Sequence, residues 1–185
     1  MAGRPLNAPS RPVVVSVLVP DPGNPRDATT SVTSSVAGSG VALGSALTAA
    51  VPTGASPVPV VTAALDPHRV RRAVESSDLL VVAVPADQPG WQRAVSRLLD
   101  ACGPLDGRAV FALVVGGWPE AAGRASPWVE AALRRRGATC LAPALHLAVG
   151  GSSGTAAIDT YGRYWRPVVP GLIDVARHET VPAAG

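Results

Sequence analysis

Short, continuous apolar runs alternate along the chain with longer segments whose apolar residues recur at helical spacing. The apolar runs predict five strands buried on both faces of a sheet, at residues 13–19, 56–62, 79–84, 109–115 and 139–143. The segments between and after them predict helices at residues 28–50, 66–76, 91–102, 126–136 and 170–178. Strands that alternate with helices pair in parallel through right-handed crossovers. The pattern therefore predicts a doubly wound, five-stranded parallel sheet in a three-layer α/β/α domain.

Punctuating residues place several of the helix ends. Asp66 followed by Pro67 is typical of an N-cap and the first helical position. Gly103 is expected to end the helix at residues 91–102. Ser126 followed by Pro127 predicts a second start of the same kind. Three glycines predict an irregular stretch in the first helix, namely Gly38, Gly40 and Gly44. They lie inside the helix rather than at a strand-to-helix turn, which argues against a dinucleotide fingerprint.

Length and composition predict one domain with two loose ends. We expect a flexible arm at residues 1–12, a single domain at residues 13–178 and a tail at residues 179–185. Cys102 and Cys140 stand far apart in apolar contexts, which favours a reduced, cytoplasmic protein over a disulfide scaffold. Neither cysteine has the spacing of a metal site, so no metal is expected. No apolar run is long enough to predict a membrane span.

Charge excludes some functions without selecting one. All 16 basic residues are arginine, so mechanisms that need a lysine Schiff base are excluded. The arginines are scattered and the net charge is only +3, which argues against nucleic-acid binding. No nucleophile elbow, paired zinc histidines or P-loop lysine is present either. The loops after the third and fourth predicted strands are the expected ligand site, because they leave the carboxyl ends of parallel strands.

The segment 77–117 contains a set of short motifs that follow one another at a regular spacing: Ser77-Asp78, residues 81–85, Trp91, Leu98-Leu99-Asp100, residues 105–108 and residues 115–117. In these motifs, and without a gap, the segment resembles the NADPH-dependent FMN reductase family, whose members have a flavodoxin-like fold. The resemblance implies an FMN-dependent oxidoreductase that takes a hydride from NADPH or NADH. It also implies a homodimer that reduces flavin or another small molecule. The family includes the reductases that serve flavin monooxygenases, so such a monooxygenase is a candidate partner.

The resemblance also implies a set of cofactor-binding residues. The phosphate would be held after the first strand by Asn24, Arg26, Thr29 and Thr30. The flavin ring would lie against Pro85, Ala86, Asp87, Gln88, Trp91, Gly116, Gly117 and Trp118. Turn-forming residues such as Asn24 and Pro25 are also ordinary in such a loop, so phosphate binding and a simple turn remain open alternatives.

Several loop residues depart from the family and favour a rival interpretation. Asp87 stands where the family has a tyrosine that packs on the flavin ring, and Arg93 stands where it has a small residue. Asp87 is the candidate catalytic residue, as a general base or hydrogen-bond acceptor, and a loop or helix-capping role is its alternative. His146 is a second candidate acid or base, although a half-buried structural histidine is the favoured interpretation. The rival is a flavodoxin-fold protein that has lost flavin reduction. It would serve as a partner-binding subunit or as a repurposed small-molecule enzyme centred on Asp87, Arg93 and Trp118.

The aromatic residues leave a further question open. Five of them are candidates for one shared pocket or for a dimer contact, namely Trp91, Trp118, Tyr161, Tyr164 and Trp165. Simple burial in the core is the alternative for each.

Overall fold

The chain folds around one parallel sheet. The computed structural model describes residues 11–21, 29–49, 51, 60–62, 66–116, 119–148 and 154–179. The strands are β1 Val15–Val19, β2 Val60–Thr62, β3 Leu79–Pro85, β4 Val110–Val115 and β5 Leu145–Leu147. They are hydrogen-bonded in the order β2-β1-β3-β4-β5, and every pairing is parallel. This order is that of the flavodoxin-like doubly wound sheet, which confirms the predicted fold class.

Helices cover both faces of the sheet. They are α1 Thr29–Thr48, α2 Pro67–Ser76, α3 Trp91–Cys102, α4 Pro119–Arg134, α5 Gly154–Trp165 and α6 Val169–Glu179. One core lies between the sheet and α1, α5 and α6, and the other lies between the sheet and α2, α3 and α4. All residues of β1, β3 and β4 are buried, as expected for strands covered on both faces. Among the described residues, no helix combines the length and apolar character that crossing a bilayer requires.

Helix α1 runs without interruption through its glycines, so the expectation of an irregular stretch was wrong. Gly40 is buried against the sheet, and a Cβ atom there would lie 2.5 Å from Cγ1 of Val17. Because packing on β1 requires a residue without a side chain, the tertiary contact outweighs the poor helix propensity of glycine. Gly38 is exposed and a Cβ atom there would meet nothing within 4 Å.

The helix α4 begins earlier than predicted. We expected Ser126 to cap it and Pro127 to open it, but the helix starts at Pro119 and Pro127 lies inside it. A proline in a helix leaves the carbonyl four residues before it without its usual partner. Here that residue is Gly123, which is exposed and can therefore be hydrated.

The last third of the chain contains two further differences from the prediction. The fifth strand was expected at residues 139–143, but Thr139 forms only an isolated bridge with Ala109 and the strand follows at Leu145–Leu147. The helix α5 replaces a predicted loop and aromatic cluster, so the described part of the chain has one more helix than expected. Gly162 obscures this helix in the sequence. A Cβ atom at Gly162 would lie 2.6 Å from that of Ala46, so the glycine lets α5 approach α1 closely.

Other predicted boundaries are confirmed or lie partly outside the described residues. Asp66 caps α2 by accepting a hydrogen bond from the backbone N–H of His68 at 3.0 Å, with Pro67 opening the helix. Gly103 follows the last residue of α3 with a φ of 76°. Of the predicted second strand, residues 56–59 lie outside the described residues. Within the predicted N-terminal arm, residues 1–10 also lie outside them, but Arg11 forms an ion pair with Asp78 at 2.8 Å.

Both cysteines are free thiols. Cys102 is buried and Cys140 is half-buried. Burial raises the pKa of the Cys102 thiol to about 12 and also raises that of Cys140, so both are protonated at neutral pH. They act as small apolar residues, and the described part of the chain contains no group of His, Cys, Asp and Glu side chains that could hold a metal ion.

Candidate functional site at the carboxyl edge of the sheet

The ends of β3, β4 and β5 meet at the carboxyl edge of the sheet. Pro85 pairs in register with Val115, and the backbone N–H of Ala86 donates to the carbonyl of Val115 at 2.9 Å. The N–H of Gly116 donates to the carbonyl of Leu147 at 2.8 Å. Backbone hydrogen bonds therefore continue one residue past β3 and β4. They fix the starting points of the two loops that the sequence predicted as the ligand site.

Asp87 and Gly116 lie in direct contact across these two loops. Gly116 has a φ of 91°, a backbone conformation that favours glycine. A Cβ atom at Gly116 would lie 2.6 Å from Cγ of Asp87, so the carboxylate occupies the space that a side chain would need. Asp87 is exposed to solvent at the same time. The structure thus brings together two of the predicted site residues, with a negative charge at the mouth of the loops.

His146 lies on the other side of Gly116. It belongs to β5, rather than following the strand as predicted, and is half-buried. Its Nε2 atom lies 3.0 Å from the carbonyl oxygen of Gly116. Because a carbonyl only accepts, Nε2 carries the hydrogen, which leaves Nδ1 of the neutral ring as an acceptor. His146 is therefore held in one tautomer at this edge.

The loop between β3 and α3 is short and is tied to its own backbone. The N–H of Gln88 donates to the carbonyl of Pro85 at 3.3 Å, and the N–H of Trp91 donates to the carbonyl of Gln88 at 3.2 Å. Gly90 precedes α3 with a φ of 76°, and no side chain caps the helix. These bonds close a turn over residues 85–91 at the carboxyl edge, where contact with a flavin stays a prediction.

Trp91 packs between this edge and α4, against Ala86, Val114 and Ala125. Its ring packs edge-to-face on Trp128 of α4, with ring centroids 5.1 Å apart and an angle of 82° between the planes. The contact places Trp91 between α3 and α4, in the core on one face of the sheet. Tyr161 and Trp165 pack against the core on the opposite face. The sheet separates the two aromatic groups, so Trp91 does not share a pocket with Tyr161 or Trp165.

One contact at this edge was not anticipated from the sequence. Arg97, on the exposed side of α3, donates from a terminal guanidinium nitrogen to the backbone carbonyl of Asp21 at 3.2 Å. Asp21 closely follows β1, so Arg97 places a positive charge beside the start of the predicted phosphate loop. In the sequence, Arg97 stands one helical turn after Arg93. This spacing places two arginines on the same side of α3 and was the available indication of a positive charge there.

The rest of the predicted site lies partly outside the described residues. Thr29 and Thr30 form the first turn of α1, where backbone N–H groups have no partner within the helix. Four predicted site residues lie outside the described part of the chain, namely Asn24, Arg26, Gly117 and Trp118. The described half of the site is therefore the edge formed by the loops after β3 and β4.

Solved structures with the same fold include two oxidoreductases and a flavodiiron protein. An oxidoreductase from Corynebacterium diphtheriae superposes with a TM-score of 0.57 at 14% identity, over 91% of this chain and 99% of that chain. An NADH:FMN oxidoreductase in its apo form gives 0.58 at 15% identity, over 84% and 89%. The flavodiiron protein from Giardia intestinalis gives 0.59 at 17% identity over 91% of this chain, which spans only 38% of that longer protein.

The sequence itself matches no protein-family model and no curated protein. Identities of 14–17% are too low to transfer an activity, but the superpositions and the strand order agree. The chain therefore has the flavodoxin-like fold that it shares with these proteins.

Proposed function

We propose that this chain is an FMN-dependent NAD(P)H oxidoreductase whose cofactor binds at the carboxyl edge of the sheet. The observation that carries the proposal is the strand order, which makes β1 and β3 the switch point where proteins of this topology bind ligands. The similarity in fold to an NADH:FMN oxidoreductase supports it. The short, backbone-tied loop after β3 also supports it, because a planar ring needs a rigid edge to lie against.

The described residues fit a flavin with one adjustment. At the edge Gln88 is half-buried and Asp87 is exposed, whereas Pro85 and Ala86 are buried. The first turn of α1 at Thr29 has N–H groups without partners inside the helix, and such groups suit a phosphate. The carboxylate of Asp87 lies over Gly116 and would have to rotate away from an entering ring. It is exposed, so rotation requires no change in the core. Bound FMN would supply the hydride chemistry, and the chain would supply binding and orientation.

Charge near the ring distinguishes this chain from an ordinary flavin reductase. A carboxylate at position 87 opposes a reduced flavin, which is anionic, and it cannot stack on a ring as tyrosine does. Arg97 beside Asp21 contributes the opposite charge on the phosphate side. We therefore propose that FMN binds weakly and is exchanged as a substrate, which suits a reductase that delivers reduced flavin to a monooxygenase.

The test is a titration of the purified protein with FMN, followed by the absorbance and fluorescence of the flavin. We expect saturable binding, and we expect oxidation of NADH or NADPH that depends on FMN or a quinone. Asp87→Tyr should bind FMN more tightly. Asp100→Asn is a matched control, because Asp100 also belongs to the segment 77–117 but pairs with Arg136 at the far end of α3. Absence of FMN binding in both wild type and Asp87→Tyr would contradict the proposal.

A second candidate function is favoured by two observations on the same edge. The Asp87 carboxylate already fills the space over Gly116, and Trp91 already packs on Trp128. A repurposed small-molecule enzyme centred on Asp87 and Arg93, or a partner-binding subunit, would retain such a site without flavin. Asp87→Tyr discriminates between the candidates, because a flavin reductase tolerates the change whereas a repurposed enzyme loses its activity. A binding subunit would consume no NADH or NADPH with either acceptor.

A further inference from the structure

The exposed face of α5 carries an apolar groove whose lining residues are not among those proposed to bind the cofactor. The groove has a volume of about 880 Å³ and lies between α5 and the chain leading into β5. Its walls are Pro143 and Leu145 on one side and residues of α5 on the other. The phenol of Tyr161 donates to the carbonyl of Pro143 at 2.7 Å, which uses its polar group and leaves an apolar surface. An apolar surface of this kind favours a protein partner.

Large exposed apolar side chains are concentrated in the same part of the molecule. Among the described residues, the large hydrophobic side chains with the greatest exposure all lie beyond residue 140, namely Leu141, Tyr164, Val168 and Val175. Tyr164 is the most exposed of them, at 73%. Its ring contacts Trp165 edge-to-face with centroids 5.2 Å apart, so it projects from the end of the groove.

The size of the side chains changes along one ridge of α5. Ala156, Thr160 and Tyr164 are spaced four residues apart, which places them in one row on the exposed side of the helix. The side chain is small at the start of the row, intermediate at its centre and large at its end. If a second copy of α5 is laid antiparallel about a two-fold axis through Thr160, Tyr164 of each copy meets Ala156 of the other. Each bulky residue then fills the space that a small one leaves.

The charges beside this ridge have the same symmetry. Asp159 and Arg163 are both exposed and lie one turn apart on the same side of the ridge. No ion pair between them is present in the described structure. In the antiparallel arrangement, an axis through Thr160 places Asp159 of each copy opposite position 161 of the other, two residues from Arg163. This separation is about 3 Å along the helix, which the long side chain of Arg163 can span.

From these two complementary patterns we infer that α5 is the contact surface of a two-fold symmetric dimer of this chain. The occupant of the groove is a second copy, since both the size and the charge patterns are self-complementary, as an isologous interface requires. The inference is independent of the proposed activity, because none of the residues that line the groove is among those proposed to hold the cofactor.

Charge reversal tests the interface through a mixing experiment. Asp159→Arg leaves only arginines at the two charged positions of each copy, so that like charges meet across the interface, and Arg163→Asp leaves only aspartates. Each variant alone should dissociate, with the dimer dissociation constant raised about tenfold or more. When the two variants are mixed, each arginine of one copy faces an aspartate of the other. The mixture should therefore dimerise at a concentration at which neither variant does, as measured by analytical ultracentrifugation.

A size exchange provides the second arm of the test. Tyr164→Ala should weaken the dimer by removing the residue that fills the space, and Ala156→Tyr should weaken it by opposing two large rings. The double variant Ala156→Tyr/Tyr164→Ala restores one large and one small residue at each contact and should recover dimer formation. Arg69→Asp is the matched control, because Arg69 is exposed on α2 in the opposite helical layer and should not affect association. Circular dichroism verifies that every variant is folded.

Three outcomes would overturn the inference. The wild-type chain could sediment as a monomer into the high-micromolar range, which would also be the result if another segment of the chain covered the groove. A dimer unaffected by the α5 variants would place the interface elsewhere. A mixture of the two charge variants that stays monomeric while each is folded would exclude the proposed antiparallel pairing.

Discussion

At the amino edge of the sheet the carboxylate of Asp78 accepts four hydrogen bonds, whereas at the carboxyl edge that of Asp87 accepts none from the described residues. Asp78 precedes β3 and is only 3% exposed, while Asp87 follows β3 and is exposed. The same strand therefore begins at a fully paired buried charge and ends at a solvent-exposed one. Polar groups at the amino edge stabilise the fold, and those at the carboxyl edge remain available to a ligand.

Asp78 connects three segments that are remote in sequence. Arg177 of α6 binds both carboxylate oxygens at 3.0 Å, Arg11 binds Oδ1 at 2.8 Å, and the N–H of Val14 donates to Oδ2 at 2.9 Å. Burial alone would raise the pKa of Asp78, but the hydrogen bonds from Arg177 and Val14 and the two positive charges outweigh it. The pKa of Asp78 is therefore lower than its ordinary value, and that of Arg177 is raised mainly by the hydrogen bond to Asp78.

Removing the Asp78 carboxylate should have the largest effect. Asp78→Ala leaves Arg177 and the N–H of Val14 without their buried partner, so we expect a loss of about 3–5 kcal/mol in the free energy of unfolding. Urea denaturation measures it. Asp100→Ala is the control, because Asp100 has a side-chain exposure of 66% and its pair with Arg136 should contribute less than about 1 kcal/mol. Equal losses in the two variants would show that Asp78 is not the anchor of this edge.

Acid should weaken the amino edge in the same way, to a smaller extent. Because the folded-state pKa of Asp78 is below the unfolded value of about 3.9, its contribution is complete above that pH and is lost as the pH falls through the folded-state pKa. Comparison of the wild type with Asp78→Asn isolates this contribution. The difference between their unfolding free energies should be constant near neutral pH and should shrink below about pH 4. A difference independent of pH would rule out ionised Asp78 as the cause.

At the carboxyl edge, backbone geometry should matter more than charge. Gly116→Ala imposes a side chain at a φ of 91° and against the Asp87 carboxylate, so we expect a loss of about 1–3 kcal/mol in the free energy of unfolding. Gly90→Ala is the matched control, because Gly90 also has a positive φ but a Cβ atom there would meet nothing within 4 Å. Adding Asp87→Ala to Gly116→Ala should recover the part of the lost unfolding free energy that the contact with the Asp87 carboxylate causes. If Gly90→Ala lowers the free energy of unfolding as much as Gly116→Ala does, the contact with Asp87 contributes nothing to the loss.

Neutralising Asp87 should have the smallest effect on stability. Asp87→Asn changes an exposed side chain to which no described residue donates a hydrogen bond, so the free energy of unfolding should change by less than about 0.5 kcal/mol. The same urea experiment measures it beside Asp78→Asn, whose loss should be several times larger. A comparable loss in both variants would remove the contrast between the two edges.

The parallel sheet and most helix ends were predictable because their signals are local. The apolar runs of β1, β3 and β4, the Asp66–Pro67 start of α2 and the glycine after α3 each depend on residues within a few positions of one another. The fifth strand and α5 were not predictable. Leu145–Leu147 is short, and a glycine at position 162 reads as a helix breaker until its contact with Ala46 is known.

The site was only partly predictable for the same reason. The sequence indicated which residues lie at the ends of β3 and β4, and Ala86 and Asp87 do lie against the end of β4, at Val115 and Gly116. It did not indicate that Trp91 would pack on Trp128, 37 positions away, or that the carboxylate of Asp87 would lie over Gly116. Side-chain direction depends on which helices and strands become neighbours. The local patterns of a single sequence do not reveal which distant elements pack against each other.

The sequence by itself therefore determined the alternation of strands and helices as far as β4, their parallel pairing and the edge at which we propose that a ligand binds, because apolar periodicity and crossover handedness are sufficient for these. Only the tertiary structure decided how the charges are used. It buried Asp78 among Arg11, Arg177 and Val14, and it left Asp87 in solvent against Gly116. Two aspartates nine positions apart, at the two ends of one strand, acquire opposite roles because desolvation and partners arise from segments that only folding brings together.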